Sequence, residues 1–152
     1  MRAALPERIP RSFIVHMLSP PYPPGAPLAP GVVVSAPLDP VVLDGLPEDV
    51  RADALNAPAA AVRFVNEAPV AVCAVSDLTE SLWDVGIDTV EPARRQGHGT
   101  AVFRALATEM AAQGRQPVWA AYEDDAPSLG MAARLGFRPV ARMVALVPPA
   151  RG

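Results

Sequence analysis

Twelve of the nineteen prolines in this chain fall before residue 60, and the densest run is "SPPYPPGAPLAPG" at 19–31. Proline has no backbone N–H to give to a ladder or a helix, so this stretch is neither a helix nor a central strand. It reads as an extended, polyproline-like surface segment. Its flanks, "RSFIVHML" and "GVVVSAPL", read as strands. "LPEDVRADALNA" reads as a short helix, with Pro47 and two acids in its first turn. Residues 1–58 are therefore expected to form a proline-rich N-terminal segment of one domain whose core is residues 59–152.

From residue 59 the pattern sharpens. "AAAVRFVN" and "PVAVCAVSD" are strands around a hairpin turn placed at "EA", and "SLWDVGIDTV" is a third strand. A helix is predicted from Gly99 to Gln113, with Gly114 as its stop. Phe103, Leu106, Ala107 and Met110 give it one apolar face. "PVWAAYE" is the next strand, Asp125 caps a helix over 126–135 that Gly136 ends, and "FRPVARMVALV" is the last strand. Hairpins followed by β-α-β elements predict an α/β fold, a mixed sheet with helices packed on it.

The net charge of −3 argues against broad nucleic-acid or membrane-surface binding. All thirteen basic residues are arginine, so chemistry that needs a lysine is excluded. The single cysteine, Cys73, leaves no internal disulfide and fits a reducing cytoplasm. "SFIVHML" is too short and too proline-flanked for a signal peptide or a membrane span.

The most concentrated positive charge lies in "EPARRQGHGTAV" at 91–102, at the entrance of the first long helix. A helix N-terminus presents unpaired N–H groups and the positive end of a dipole, and glycine lets a ligand approach them. This combination suits an anion, with phosphate the leading reading. The alternative is a solvated helix entry. A P-loop is excluded because it needs a lysine. A dinucleotide fingerprint wants a small residue where Val102 stands, and hairpins lead into the loop. One Cys and two distant His give no zinc site, so no metal is expected. No GxSxG elbow is present.

Arg94-Arg95-Gln96-Gly97-His98-Gly99, after a strand and at a helix start, resembles the acetyl-CoA loop of the GNAT superfamily of N-acetyltransferases. "EDDAPSLGMAARLGFRPV" resembles that family's following strand–helix–strand with its Leu-Gly-Phe. The likeness covers residues 59 to 147. It implies a GNAT-like mixed central sheet flanked by helices, with the N-terminal helices shortened or rearranged and the last strand missing. It further implies that backbone N–H groups from Arg95 to Thr100 cradle the coenzyme A diphosphate, with Arg94, Gln96, Gly97, His98 and Gly99 around it. The pantetheine arm would run along the strand ending at Asp88, Thr89 and Val90. Asp125 and Ser128, at the second helix start, join the cofactor contacts by the same resemblance. The family often has Asn where Asp125 stands, and an Asp cannot donate the amide hydrogen bond.

Acetyl transfer to an amine needs a base. Counting back about four strand residues from Thr89, at roughly 3.3 Å each, reaches Asp84. Glu80 is the second candidate, through water, and a solvated strand residue is the competing reading of Asp84. The register expected puts Trp83, Val85, Ile87 and Thr89 on one face and Asp84, Gly86 and Asp88 on the other. Gly86 would then leave room for a ligand backbone. The family's usual tyrosine acid falls at Ala132, so Tyr122 or water would protonate the leaving thiolate; packing is the other reading of Tyr122. His16 reads as structural, and Trp83 and Trp119 as core or cleft lining.

The resulting expectation is an acetyl-CoA-dependent acetyltransferase acting by direct attack on a small-molecule or peptide amine, without nucleic-acid or membrane partners. The alternative is a non-catalytic acyl-CoA-binding or interaction protein on the same fold, given Ala132 and Asp125. A dinucleotide-binding module is a remote third. An open sheet edge would favour a homodimer.

Overall fold

A computed structural model describes residues 4 and 6–149. The chain divides into two compact units, one of Leu18–Val118 and one of the residues up to Met17 with those from Trp119 onward. Between them the two units hold seven strands and three α-helices among the described residues.

The larger unit holds β2 (Val32–Ser35), α1 (Glu48–Ala54), β3 (Ala60–Val65), β4 (Ala68–Leu78), β5 (Leu82–Thr89) and α2 (His98–Ala112). The first residues of β6 (Gln116–Tyr122) also belong to it. Its strand order is β2-β3-β4-β5-β6. The first four are antiparallel, and β5 and β6 are parallel over Leu82–Asp84 and Gln116–Val118. A parallel pair needs a crossover, and α2 supplies it.

The β3–β4 turn is Asn66-Glu67, at φ 50° and 66°. Two central residues with positive φ match the twist of a tight hairpin, and asparagine tolerates that conformation better than most side chains. The turn thus sits one residue before the expected "EA". A second irregularity lies in β4. The pairing Val75↔Val85 is followed by Asp77↔Asp84, so Ser76 is bulged out.

Strand alternation sorts the core into two faces. On one, Leu43, Leu46 and Ala54 pack with Ala60, Val62, Val72 and Ala74. On the other, α2 buries Val102, Phe103, Leu106 and Met110. There Trp83, 1% exposed, stacks on Phe103 at 6.3 Å between centroids. The proline-rich segment is tied over α2. The Tyr22 ring meets Phe103 edge-on at 5.9 Å, and the Tyr22 N–H donates to Gln116 Oε1 at 2.7 Å.

The smaller unit contains β1 (Ile9–Leu18) up to Met17, the rest of β6, α3 (Ala126–Arg134) and β7 (Phe137–Val147), with strand order β6-β1-β7. Trp119 is anchored three ways. Its Nε1 donates to Ser128 Oγ at 3.1 Å, its ring lies 5.5 Å from Phe137, and its carbonyl faces His16 Nδ1 at 3.2 Å. His16 is buried and its imidazole serves this backbone contact. β7 is the last strand in that order and exposes Val140, Met143, Val144 and Leu146. No helix among the described residues is long and apolar enough to cross a membrane.

Candidate active site

β5 and α2 position the first group of residues. After Thr89 the chain enters a single 3₁₀ turn, Glu91–Ala93, with Pro92 in its first positions. Proline there forgoes an N–H that would have had no partner. Arg94 folds back so that its Nε donates to the Thr89 carbonyl at 3.1 Å. Arg95 lies at φ 64°, in the left-handed region. Gly97 caps α2 at φ 81°, a conformation glycine takes without penalty. A Cβ built on Gly97 would meet nothing within 4 Å, so its torsion, not its space, calls for glycine.

With glycine as cap, no side chain bonds the first turn of α2. The first intrahelical bond is Ala101 N–H to the Gly97 carbonyl at 3.1 Å. The N–H groups of His98, Gly99 and Thr100 therefore point out of the helix end. Arg94 and Arg95 are exposed, and neither has an ion-pair partner among the described residues. The helix dipole and two guanidiniums act in the same direction here, toward an anion. Beside this turn, a cavity of about 390 Å³ is lined by Leu28, Gly97, Thr100 and Arg104 among others. The contribution of Arg104 was not legible in the loop motif, because it lies two helical turns further on. Only the recurrence at every third or fourth residue brings it to the same face.

The second group sits on β5 and its neighbours. Trp83 is buried against α2, and its neighbour Asp84 points to the opposite face, as do Gly86 and Asp88. The bulge at Ser76 brings Asp77 directly across from Asp84. Asp84 is half-buried, and its carboxylate accepts from the Val85 N–H. Burial raises its pKa above the ordinary 3.8, the facing Asp77 carboxylate raises it further, and the Val85 hydrogen bond opposes both. Asp88 is likewise raised, first by burial and then by Asp53 and Asp49 of α1, while Arg94 pulls it down. Glu80 lies in the exposed turn between β4 and β5. Space above Gly86 is already taken: a Cβ there would lie 2.5 Å from Ser76 Oγ. The glycine thus accommodates the bulged serine, where the sequence pointed to a ligand backbone.

Asp77 and Asp53 are residues that the sequence reading missed. A bulge interrupts the period of two, so nothing in "VCAVSDL" marks which residue faces Asp84. Asp53 meets Asp88 only through tertiary packing.

The remaining predicted residues lie in the smaller unit. Tyr122 is covered by Arg11, whose guanidinium carbon is 3.5 Å from the ring centroid, and Phe13 meets it edge-on at 6.4 Å. Asp125 caps α3 by accepting from the Ser128 N–H at 3.2 Å. Ser128 Oγ is engaged by Trp119. Ala132 is fully buried.

Comparison with known proteins adds the following. The family model for FR47-like proteins matches residues 76–144, which run from the bulge into β7. A GNAT-family protein from Novosphingobium aromaticivorans has a similar structure, with TM-score 0.72 and 20% identity over 95% of this chain and 69% of that one. A GCN5-related N-acetyltransferase-like protein from Streptococcus suis gives 0.64 at 16% identity, over 91% and 62%. A GCN5-related N-acetyltransferase from Kribbella flavida gives 0.60 at 20%, over 94% and 59%. The chain thus spans only about three-fifths of the length of the last two. No curated protein matches the sequence significantly.

Proposed function

We propose that this chain, a member of the GNAT superfamily in its fold and its FR47-like segment, transfers acetyl from acetyl-CoA to an amine by direct attack. One observation carries the reading. The two ends of β5 have opposite polarity, an uncapped, arginine-flanked helix start beyond Thr89 and a carboxylate pair at Asp84 and Asp77. An anionic cofactor and a cationic acceptor would each find a complement.

Acetyl-CoA supplies the activated acetyl group as a thioester. The N–H groups of residues 95–100 would hold its diphosphate, Arg95 would neutralise it, and Arg104 would serve the cavity alongside. Asp84 takes a proton from the acceptor ammonium. An amine with a pKa near 10 needs roughly 4 kcal/mol to become neutral at pH 7, about three units at 1.36 kcal/mol each. A carboxylate whose pKa is raised is a stronger base than a free one and better matched to that task. The leaving sulfur needs a proton in return, which water can supply.

Direct attack is favoured over an acyl-cysteine route. Cys73 is completely buried and burial pushes its thiol pKa up, so it is neither accessible nor ionised. A second reading, an acyl-CoA-binding protein without turnover, is favoured by one observation. The family's usual acid position is the buried Ala132.

The pH profile tests the base. Asp77→Asn removes the like charge facing Asp84, so the acidic limb of kcat/KM should move to lower pH. A limb that stays in place would take the role from Asp84.

A further inference from the structure

Between the pairs Val75↔Val85 and Asp77↔Asp84, β4 carries one residue more than β5. Ser76 and Asp77 therefore both lie opposite Asp84. In an unbroken ladder Ser76 would stand across from Asp84, and Asp77 would join Trp83 on the face buried against α2. The bulge turns Asp77 out to the face of Asp84 instead. The extra side chain then needs a place, and Gly86 supplies it. Gly86 lies on the same face as Asp84 and pairs with Ala74. The Ser76 hydroxyl occupies the space where a side chain at 86 would begin, 2.5 Å from the Cβ position. Gly86 has no positive φ, so it is space and not torsion that calls for glycine there.

Backbone donors fix both carboxylates in this arrangement. Asp77 Oδ1 accepts from the Leu78 N–H at 2.8 Å, and Asp84 accepts from the Val85 N–H. Neither has an ion-pair partner among the described residues. In β6, Pro117 and Val118 run beside Trp83 and Asp84 and bring no charge. In α1, Asp49 and Asp53 act on Asp88. At the strand ends, Glu80 is exposed in the turn and Arg115 Nε donates to the Thr79 carbonyl. Asp77 is thus the charge that Asp84 meets. Like charges directly opposite one another destabilise a strand pair, so stability alone does not favour this register.

Building on the acetyltransferase reading above, we propose that Ser76 and Gly86 are positioning residues for the base: the serine, seated over the glycine, holds the bulge that keeps Asp77 across from Asp84. Both act through Asp77, whose charge makes Asp84 the stronger proton acceptor. A methyl added at 86 displaces Ser76, the extra residue shifts along β4, and Asp77 leaves its place.

The test compares Gly86→Ala, Ser76→Ala and the two together in the full chain, each with and without Asp77→Asn. Amine-dependent thiol release from acetyl-CoA gives the pH profile of kcat/KM. Carboxyl carbon NMR, with the Asp84 resonance assigned from Asp84→Asn, follows the same titration without turnover. Gly86→Ala should move the acidic limb and the Asp84 titration to lower pH, as Asp77→Asn does. On top of Asp77→Asn it should move them no further. Adding Ser76→Ala to Gly86→Ala should restore the wild-type position. The new methyl then meets the Cβ of residue 76 at 3.9 Å and the Ala74 carbonyl oxygen at 3.6 Å, both ordinary contacts. A merely structural glycine would change the melting temperature and leave the titration in place, and that result would overturn the seat. Should Gly86→Ala alone not fold, the double variant decides: a wild-type titration supports the seat, and a displaced one overturns it. Thiol release with both readouts unmoved by Gly86→Ala would overturn the seat and leave the acetyltransferase reading standing. An Asp84 titration that Gly86→Ala moves, with no thiol release from any amine, would support the seat and overturn the activity.

Discussion

Replacing Asp84 with Asn lowers turnover by about 10²–10⁴-fold, the range for loss of a general base, while acetyl-CoA binding is retained. Asparagine keeps the shape and can still accept from the Val85 N–H, but it cannot take a proton. The deficit should shrink at high pH, where more of the amine is already neutral. The same substitution should raise the melting temperature at neutral pH. Asp84 has a folded-state pKa above its unfolded value, from burial and from Asp77. Its contribution to stability is therefore fully present below about pH 3.8 and is lost as pH rises through the raised folded value. At pH 7 the wild type carries an ionised, partly desolvated carboxylate that the variant lacks, and the difference should disappear in acid. Thermal melts across pH and steady-state rates check both parts. Wild-type turnover in the variant at neutral pH would move the base to Glu80 or bulk water.

The other large effect belongs to Gly99. It lies in the first turn of α2 and, unlike Gly97, has no positive φ. Its conformation is open to any residue, and glycine is a poor helix former, so Gly99→Val leaves the helix intact. The branched side chain, however, would stand over the N–H groups that are to hold the diphosphate. Acetyl-CoA affinity should fall by at least about tenfold, or 1.4 kcal/mol, with the ligand-free melting temperature unchanged or slightly higher. Calorimetry that finds the affinity intact would place the diphosphate elsewhere.

Much of this was legible in the sequence wherever a local rule fixed the answer. Gly114 and Gly136 stop their helices at φ 77° and 92°, the left-handed values expected of helix-ending glycines. Asp125 caps α3 with its side chain. The alternation of Trp83 with Asp84 placed one residue against α2 and the other on the opposite face. The illegible parts are non-local. The turn at Asn66-Glu67 was displaced by one residue because the β3–β4 register, not the loop composition, sets it. The bulge at Ser76 shifts Asp77 opposite Asp84 through pairing between two strands. The approach of Asp53 to Asp88 depends on how α1 packs on the apolar cluster around Leu43 and Val72. The proline-rich segment was read as an extended surface stretch, but its attachment to β6 through Tyr22 and Gln116 joins residues 94 positions apart.

The central claim is that this chain moves acetyl groups as well as binding their carrier. Free thiol and acetylated amine should be followed together in one reaction containing the protein, acetyl-CoA and a panel of amines. The account predicts amine-dependent thiol release matched one for one by acetylated amine, abolished by Gly99→Val and strongly reduced by Asp84→Asn. Tight acetyl-CoA binding with no amine-dependent thiol release across the panel would contradict it and leave a binding protein on an acetyltransferase fold.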